Sequence, residues 1–539
     1  MIPPEGRLED FGDLGALRER AKELRCLYRV MGVLAREDDP LQEVVADLLA
    51  AIPPGWQYPE VTAARLTLED GRRWDGTGFR ETPWTLTSRV RSRGETAGSL
   101  EVVYLEERPS GDTGPFLEEE RQLLETIAGQ LGQYLARREP RADGRPGARS
   151  APGDGNARVI LDFLARTDAR LTRWLTAKML NHLRWRGVEG VEALLPPEEL
   201  LDPERSAGSN RPISGESGPG VDVPTREVFE LASRHCSQEE ILRELRAWIT
   251  QDKVRFLVST VEDQGSSMDD IVAALERFES LGVEEQELPR AIQTMLRVGL
   301  LRRFFTEEID FINTAKGVVK VGDFHALAAC LVHPRRSHGR LGGKSAGVFL
   351  AKEILDAAPD PDGLLKGIRV PRTWHIGSDG VLAFVRHNNL EDVYDRKYLD
   401  VEEVRQQYRH VVQVFRNSRF PPELKAGLAR ALENLGRRPL IVRSSSLLED
   451  RTGAAFSGKY KSLFLANQGS REQRLRELQT AVAEVYASIF GPDPIEYRAE
   501  RNLLDVHEEM GIMIQEVVGT RVGDRYFLPA YSGVALSNN

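Results

Sequence analysis

The sequence predicts a multidomain α+β protein, and three observations lead there. At 539 residues the chain is longer than one core organises, and about 150 residues per domain gives three or four units. Strand-like alternation occurs early and late, while the middle repeats its apolar residues at helical spacing. Two stretches without periodicity, 137–156 and 203–224, separate these blocks and read as linkers. The predicted order is an α+β domain over 14–139, a linker over 140–157, a mainly helical connector over 158–335 broken at 203–224, and a second α+β domain over 336–539.

Composition narrows the function. Hydrophobic residues at 41% and charged residues at 29% are those of a soluble globular protein. A net charge of −10 argues against nucleic acid as a partner, because a phosphate backbone is repelled unless a basic face is segregated. Cys26, Cys236 and Cys330 lie too far apart for a disulfide framework or a C-x-x-C metal pair, which fits a reducing cytoplasm. The N-terminus M-I-P-P-E-G-R-L-E-D lacks the pattern of a signal peptide, and no run approaches the roughly 20 apolar residues that span a bilayer, so no membrane partner is expected.

In the first block, 14–36 reads as a helix with Leu17, Leu24, Leu27, Val30, Met31 and Leu34 on one face, and 40–51 as a second, stopped by Pro53-Pro54-Gly55. Stretches 61–68 and 98–105 alternate as half-buried strands, with Asp70-Gly71 as a turn signal. A closing helix opens at Pro115 and carries Phe116, Leu123, Leu124, Ile127, Leu131 and Leu135. This order, with F-L-E-E-E-R-Q-L-L-E-T-I-A-G-Q-L-G near its end, is similar to a GAF sensory domain; an unrelated α+β domain of this size is the other reading. The resemblance implies a small-molecule ligand over the sheet. Trp56, Trp74 and Trp84 fit such a pocket or the core, the commoner fate of aromatics at this density.

Six arginines between Arg137 and Arg158 mark a solvated segment rather than a nucleic-acid arm. In the connector, Ser237 to Glu240 is a capping box ahead of Ile241, Leu242, Leu245, Trp248 and Ile249. Ser267 to Asp270 caps another helix, with Ile271, Leu275 and Phe278, and Gly282 ends it. Asp310, His325 and His333 are too scattered to argue for a metal.

The chemistry concentrates in the last block. From Gly339 the chain reads G-R-L-G-G-K-S-A-G-V-F-L-A-K-E-I-L, so Gly342, Gly343 and Lys344 stand at a helix N-terminus, where N–H donors and an ammonium meet a phosphate. A Walker A loop would need glycine at 338, which is His338, and a strand directly before it, where Pro334 to Ser337 is polar. A hundred residues on, P-L-I-V-R-S-S-S-L-L-E-D-R-T-G-A-A-F-S-G-K-Y-K-S-L-F-L puts a buried strand, Leu440 to Val442, ahead of Arg443, Ser444 and Ser445. Glu449 and Asp450 and a flexible loop from Gly453 to Gly458 follow. Glycines let N–H groups approach phosphate oxygens, arginine offers a planar fork, and paired carboxylates position Mg²⁺ or pair with Arg451.

These segments resemble, in order, the "GGK.A.L" and "VRSS…ED…G.SFAG.Y" motifs of the nucleotide-binding domain of phosphoenolpyruvate synthase and pyruvate phosphate dikinase. A-V-A-E-V-Y-A-S-I-F-G-P-D-P-I-E-Y-R over 481–498 is similar to the family's helix ending in "S.F…A..YR". M-G-I-M-I-Q-E-V-V over 510–518, followed by Y-S-G-V-A-L-S-N-N, resembles its "VQ.MV…SGVAFT.NP" hairpin. The resemblance implies an ATP-grasp-type domain binding Mg·ATP. Lys344 and Arg443 would act on the phosphates, with Gly342, Gly343, Ser444, Ser445, Gly453, Gly458 and Gln515 binding ATP and Glu449 and Asp450 holding Mg²⁺. Phosphoryl would pass to a histidine on a separate domain and then to pyruvate, giving phosphoenolpyruvate. The family's "TxNP" is Leu536-Ser537-Asn538-Asn539 here, and its later Mg·ATP residues and "GG…SHA" histidine segment are not in the sequence. The expectation is therefore a truncated nucleotide domain, inactive as this stretch alone. Two alternatives stay open: a GAF-coupled regulatory ATP-binding protein without catalysis, and a phosphotransferase acting on another acceptor, such as an antibiotic or a glucan.

Overall fold

The computed structural model describes residues 22–23, 25–36, 39–109, 114–138, 156–194, 224–448, 458–506, 508–523 and 526–533. The chain divides into two units, Met1–Lys253 and Val254–Asn539. The helices read as one connector are thereby shared out, those up to Lys253 with the first unit and those from Val254 with the second. Both linker stretches, apart from their edges, lie outside the described residues.

In the first unit the described helical turns over 22–34 bury Leu27, Val30, Met31 and Leu34, the spacing expected of one apolar face. Helix α1, Leu41–Ala51, follows. Strands β1 (Thr62–Leu68), β2 (Arg73–Asp75), β3 (Thr85–Ser92) and β4 (Glu95–Tyr104) form an antiparallel sheet in the order β2-β1-β4-β3. Gly71, at φ +87°, makes the turn between β1 and β2. Strands β2 and β3 were not expected: β2 has three residues, and β3 buries only Leu86, Val90 and Ser92.

Helix α2, Glu118–Arg138, starts three residues later than Pro115 suggested, because a buried carboxylate organises the residues before it. Glu120 is 1% exposed and accepts from Leu117 N at 2.8 Å, Gln57 N at 2.7 Å and Tyr104 OH at 2.8 Å. Those donors offset the cost of burying the charge. Trp56 is fully buried, while Trp74 and Trp84 pack half-buried against the same core. That core continues through α3 (Asn156–Thr167), α4 (Ala169–Trp185), α5 (Thr225–His235) and α6 (Gln238–Lys253). Ser237 Oγ accepts from Glu240 N at 3.2 Å at the start of α6.

The second unit opens with helices α7 (Arg255–Glu262), α8 (Met268–Ser280), α9 (Arg290–Phe304), α10 (Ile309–Ala315) and α11 (Val321–Ala328). The cap expected from Ser267 to Asp270 is formed, as a capping box with bonds in both directions, and Gly282, at φ +57°, ends α8. Phe304, Phe305 and Phe324 gather with Phe349 of α12, Gly343–Ala357, so the helical cluster is built onto the helix that follows the glycine turn. Strands β5 (Leu331–Val332), β6 (Thr373–Ile376), β7 (Leu440–Ser446), β8 (Ser462–Leu465) and β9 (Met510–Glu516) form a five-stranded sheet in the order β5-β6-β9-β7-β8. Only the β5–β6 pair is parallel.

Helices α13 (Gly380–His387), α14 (Val401–Asn417), α15 (Pro422–Leu435), α16 (Arg471–Ala487) and α17 (Pro492–Glu500) share a core with one side of this sheet. The stretch 481–498 is thus two helices, separated at Gly491–Pro492, where proline is tolerated as a first helical residue but not inside a helix. Of the hairpin expected from 510–518 and 531–539, residues 534–539 lie outside the described residues. All seven residues of β9 are buried, and it lies between β6 and β7. A separate two-stranded hairpin, β10 (Thr520–Val522) with β11 (Tyr526–Leu528), follows it.

Candidate functional site

Directly opposed residues of an antiparallel pair share a face of the sheet. Ile441, Arg443 and Ser445 oppose Gln515, Met513 and Gly511, while Thr373 and His375 oppose Gln515 and Met513. One face therefore carries Arg443, Ser445, Gln515, Thr373 and His375. The other carries Leu440, Val442, Ser444, Ile512, Ile514, Trp374 and Ile376, and its apolar residues form the core with α13 to α16. A core on one side leaves the other for polar work.

The polar face meets the glycine turn. Gly342 sits at φ +75°, and a Cβ there would collide with the carbonyl of Ser445. Gly511 is equally confined, since a Cβ would come within 2.8 Å of Leu341 O and 3.0 Å of Ile376 O. Only glycine lets the loop lie this close on β7 and β9. The Ser445 hydroxyl fastens it, donating to Leu341 O at 2.7 Å and accepting from Ser345 N at 3.1 Å. At the start of α12, Ser345 Oγ is 2.9 Å from His375 Nδ1.

These contacts aim the N-terminus of α12, with its partial positive charge, at the end of β7. Lys344 Nζ lies 3.4 Å from Ser444 Oγ, a hundred residues away in sequence and next in the chain to Arg443. Arg443 is half-buried, and no hydrogen bond or ion pair is formed by its side chain among the described residues. A cleft of about 490 Å³ opens beside Gly342 and Gly343, lined also by Phe305, Glu307, Glu308, Arg340 and Leu447 and not by Lys344 or Arg443, a volume within the range of small-molecule sites. In the first unit, a cleft of about 390 Å³ between α3 and α5 carries arginines too. There Arg226 is paired with Glu230 at 2.8 Å, much as Arg340 of the second-unit cleft is paired with Glu307 at 2.7 Å.

His375 is 5% exposed, and burial pushes its imidazole down to about 4, so it is neutral near pH 7 and able to bond Ser345. A depressed histidine pKa means that the unfolded chain takes up the proton first as pH falls. Stability is present above the ordinary value near 6.5 and is lost between there and about 4. Between pH 7 and 5 this amounts to about 2 kcal/mol. Urea unfolding of the His375→Gln variant should show a loss smaller by that amount over this interval; identical pH slopes would contradict it.

The structure thus brings together Gly342, Gly343, Lys344, Ser444 and Ser445, with Arg443 on the sheet face of Ser445 and Gln515 on that same face four residues along β9 from Gly511. Ser445 uses its hydroxyl on the glycine loop, and Gln515 Nε2 donates to Thr373 Oγ1 at 3.0 Å. Gly458 is exposed, at φ +77°. Glu449, Asp450 and Gly453 lie outside the described residues. As the sequence implied, no Walker A geometry forms, because β5 ends at Val332, well before the glycines. Sequence reasoning missed Ser345, His375, Ser378 and Gly511. A histidine inside an apolar strand and a glycine in the middle of M-G-I-M-I-Q were the available signals.

Residues 338–539 match the family described as pyruvate phosphate dikinase, AMP/ATP-binding domain. A search of curated proteins finds no match to the chain.

Proposed function

We propose that the second unit binds ATP on the polar face of its sheet and serves as the nucleotide-binding part of an ATP-dependent phosphotransferase of the phosphoenolpyruvate synthase/pyruvate phosphate dikinase type. The observation that carries this reading is the seating of the Gly342 turn on Ser445, which brings Lys344 to the strand that bears Arg443. ATP supplies the phosphoryl group. Lys344 and the N–H groups at the start of α12 hold phosphate oxygens, and Arg443 offers its planar fork to the same charge, so the cradle works by positioning and charge neutralisation. Ser445 acts beneath the phosphates by fixing the loop, Ser444 accepts from Lys344 Nζ, and Gln515 with Thr373 floors the site.

Mg²⁺ is proposed as the counter-ion, with Glu449 and Asp450 as its ligands. Among the described residues no group of three or more His, Cys, Asp or Glu side chains fits a metal, and no step is assigned to it. The onward route through a histidine carrier to pyruvate, a GAF-like ligand site over 14–139 and a cytoplasmic setting complete the proposal. No described helix is long and apolar enough to cross a membrane.

Hydrogen exchange of the whole chain with and without Mg·ATP tests this reading. Slowed exchange is expected over 339–346 and 440–448, with 62–104 unchanged. Protection confined to the first unit, or none at saturating nucleotide, would overturn it.

A further inference from the structure

Two adjacent glutamates, Glu508 and Glu509, stand at the entrance to β9. Successive residues of an extended chain point to opposite faces, and these two follow that rule. Glu508, 4% exposed, joins the apolar side, where Ser446 Oγ donates to its Oε1 at 3.2 Å and Arg498 Nη1 lies 2.7 Å from its Oε2. Tyr460 OH also donates to Glu508 Oε1. Glu509 joins the polar side, where its Oε2 accepts from Ser378 Oγ at 2.6 Å.

Both arms lead to the candidate site. Ser446 is the last residue of β7 and Tyr460 lies just before β8, so Glu508 ties together the two ends of the stretch between those strands. Glu509 reaches the other half through Ser378, whose Oγ accepts from Arg340 N at 3.0 Å and whose N donates to Arg340 O at 2.8 Å. Arg340 is two residues before Gly342. The Glu509 carbonyl also accepts from Leu447 N at 3.2 Å, which extends the β7–β9 ladder past the serines. Arg498, 3% exposed, anchors the Glu508 arm to α17, its Nη2 donating to Ile489 O at 3.0 Å.

We infer that Glu508 and Glu509 are positioning residues that hold the glycine turn and the end of β7 in fixed register, so that Lys344 and Arg443 face one phosphate chain. Resting on the nucleotide reading, the inference deepens it: the geometry of the cradle is set from β9 by a pair of carboxylates that do not touch the ligand. Buried Glu508 is a stiff link, because releasing it leaves a desolvated polar group unpaired, and half-buried Glu509 adds the bond to Ser378.

Mg·ATP titration of the full chain by calorimetry, with thermal melts alongside, tests it. Glu509→Ala and Ser378→Ala are each expected to weaken binding about tenfold. The two together should cost no more than either alone, since both break one bridge. In a Lys344→Ala background, Glu509→Ala should cost less than in the wild type, because the clamp acts through the loop that carries Lys344. A residue that only stabilises the fold would lower the melting temperature and leave the affinity of folded protein unchanged. If Glu509→Ala fails to fold, Ser378→Ala decides alone. Wild-type affinity in folded Ser378→Ala overturns the clamp, whereas a wild type that does not bind Mg·ATP overturns the nucleotide reading itself.

Discussion

Lys344→Ala and Arg443→Ala should each weaken ATP binding by about 1.5–3 kcal/mol, or roughly ten- to a hundredfold. The magnitude follows from what is removed. Each side chain offers a charge-assisted contact to an anion, and with the polar face partly closed by α12 that contact is less screened than on an open surface. Neither change should unfold the unit. Lys344 stands at the first turn of α12, and Arg443 has no ion-pair partner among the described residues whose loss would strand a charge. Arg443→Lys should recover only part of the loss, because an ammonium lacks the planar fork. Calorimetric titration with Mg·ATP reads the effect, and unchanged affinity in both alanine variants would remove the phosphates from this site.

Gly342→Ala should do more damage than either. The backbone there is left-handed at φ +75°, and the added methyl would meet the Ser445 carbonyl, which belongs to a strand and cannot step aside. Strain and overpacking together should cost about 3 kcal/mol of stability, and nucleotide binding should fall at least about tenfold because the loop must lift off β7. Gly367→Ala is the control: an added Cβ there has nothing within 4 Å, and its stability should stay within about 0.5 kcal/mol of the wild type. Thermal melts and the same titration measure both. A Gly342→Ala protein as stable as the Gly367→Ala protein would mean that the turn is not seated on β7.

Much of the candidate site was legible because its chemistry is local. Gly342-Gly343-Lys344 announces a helix N-terminus, and Leu440 to Ser446 places an arginine and serines directly after apolar strand residues. What stayed hidden is long-range. Gln515 and Thr373 are 142 residues apart, and nothing in either segment says that β9 inserts between β6 and β7. The continuous apolar run Ile512-Met513-Ile514 fits a central strand as well as a hairpin, and only the pairing partners decide. Ser445 shows the same limit, since a serine beside a basic residue reads as a phosphate ligand until the loop that takes its hydroxyl is seen. In the first unit, β3 was missed because only Leu86 and Val90 mark its buried side. Glu508 and Glu509 looked like two more acids in an acidic chain, and their opposite bonding appears only once β9 is in place.

The central claim is that one polar sheet face, bearing Arg443 and met by Lys344 at the start of α12, holds the nucleotide phosphates. The most direct measurement is a Mg·ATP titration of the wild-type chain beside the Lys344→Ala/Arg443→Ala double variant, with circular dichroism to establish that both are folded. Saturable binding in the wild type and none in the folded double variant is the expected result; equal binding in the two would contradict the claim.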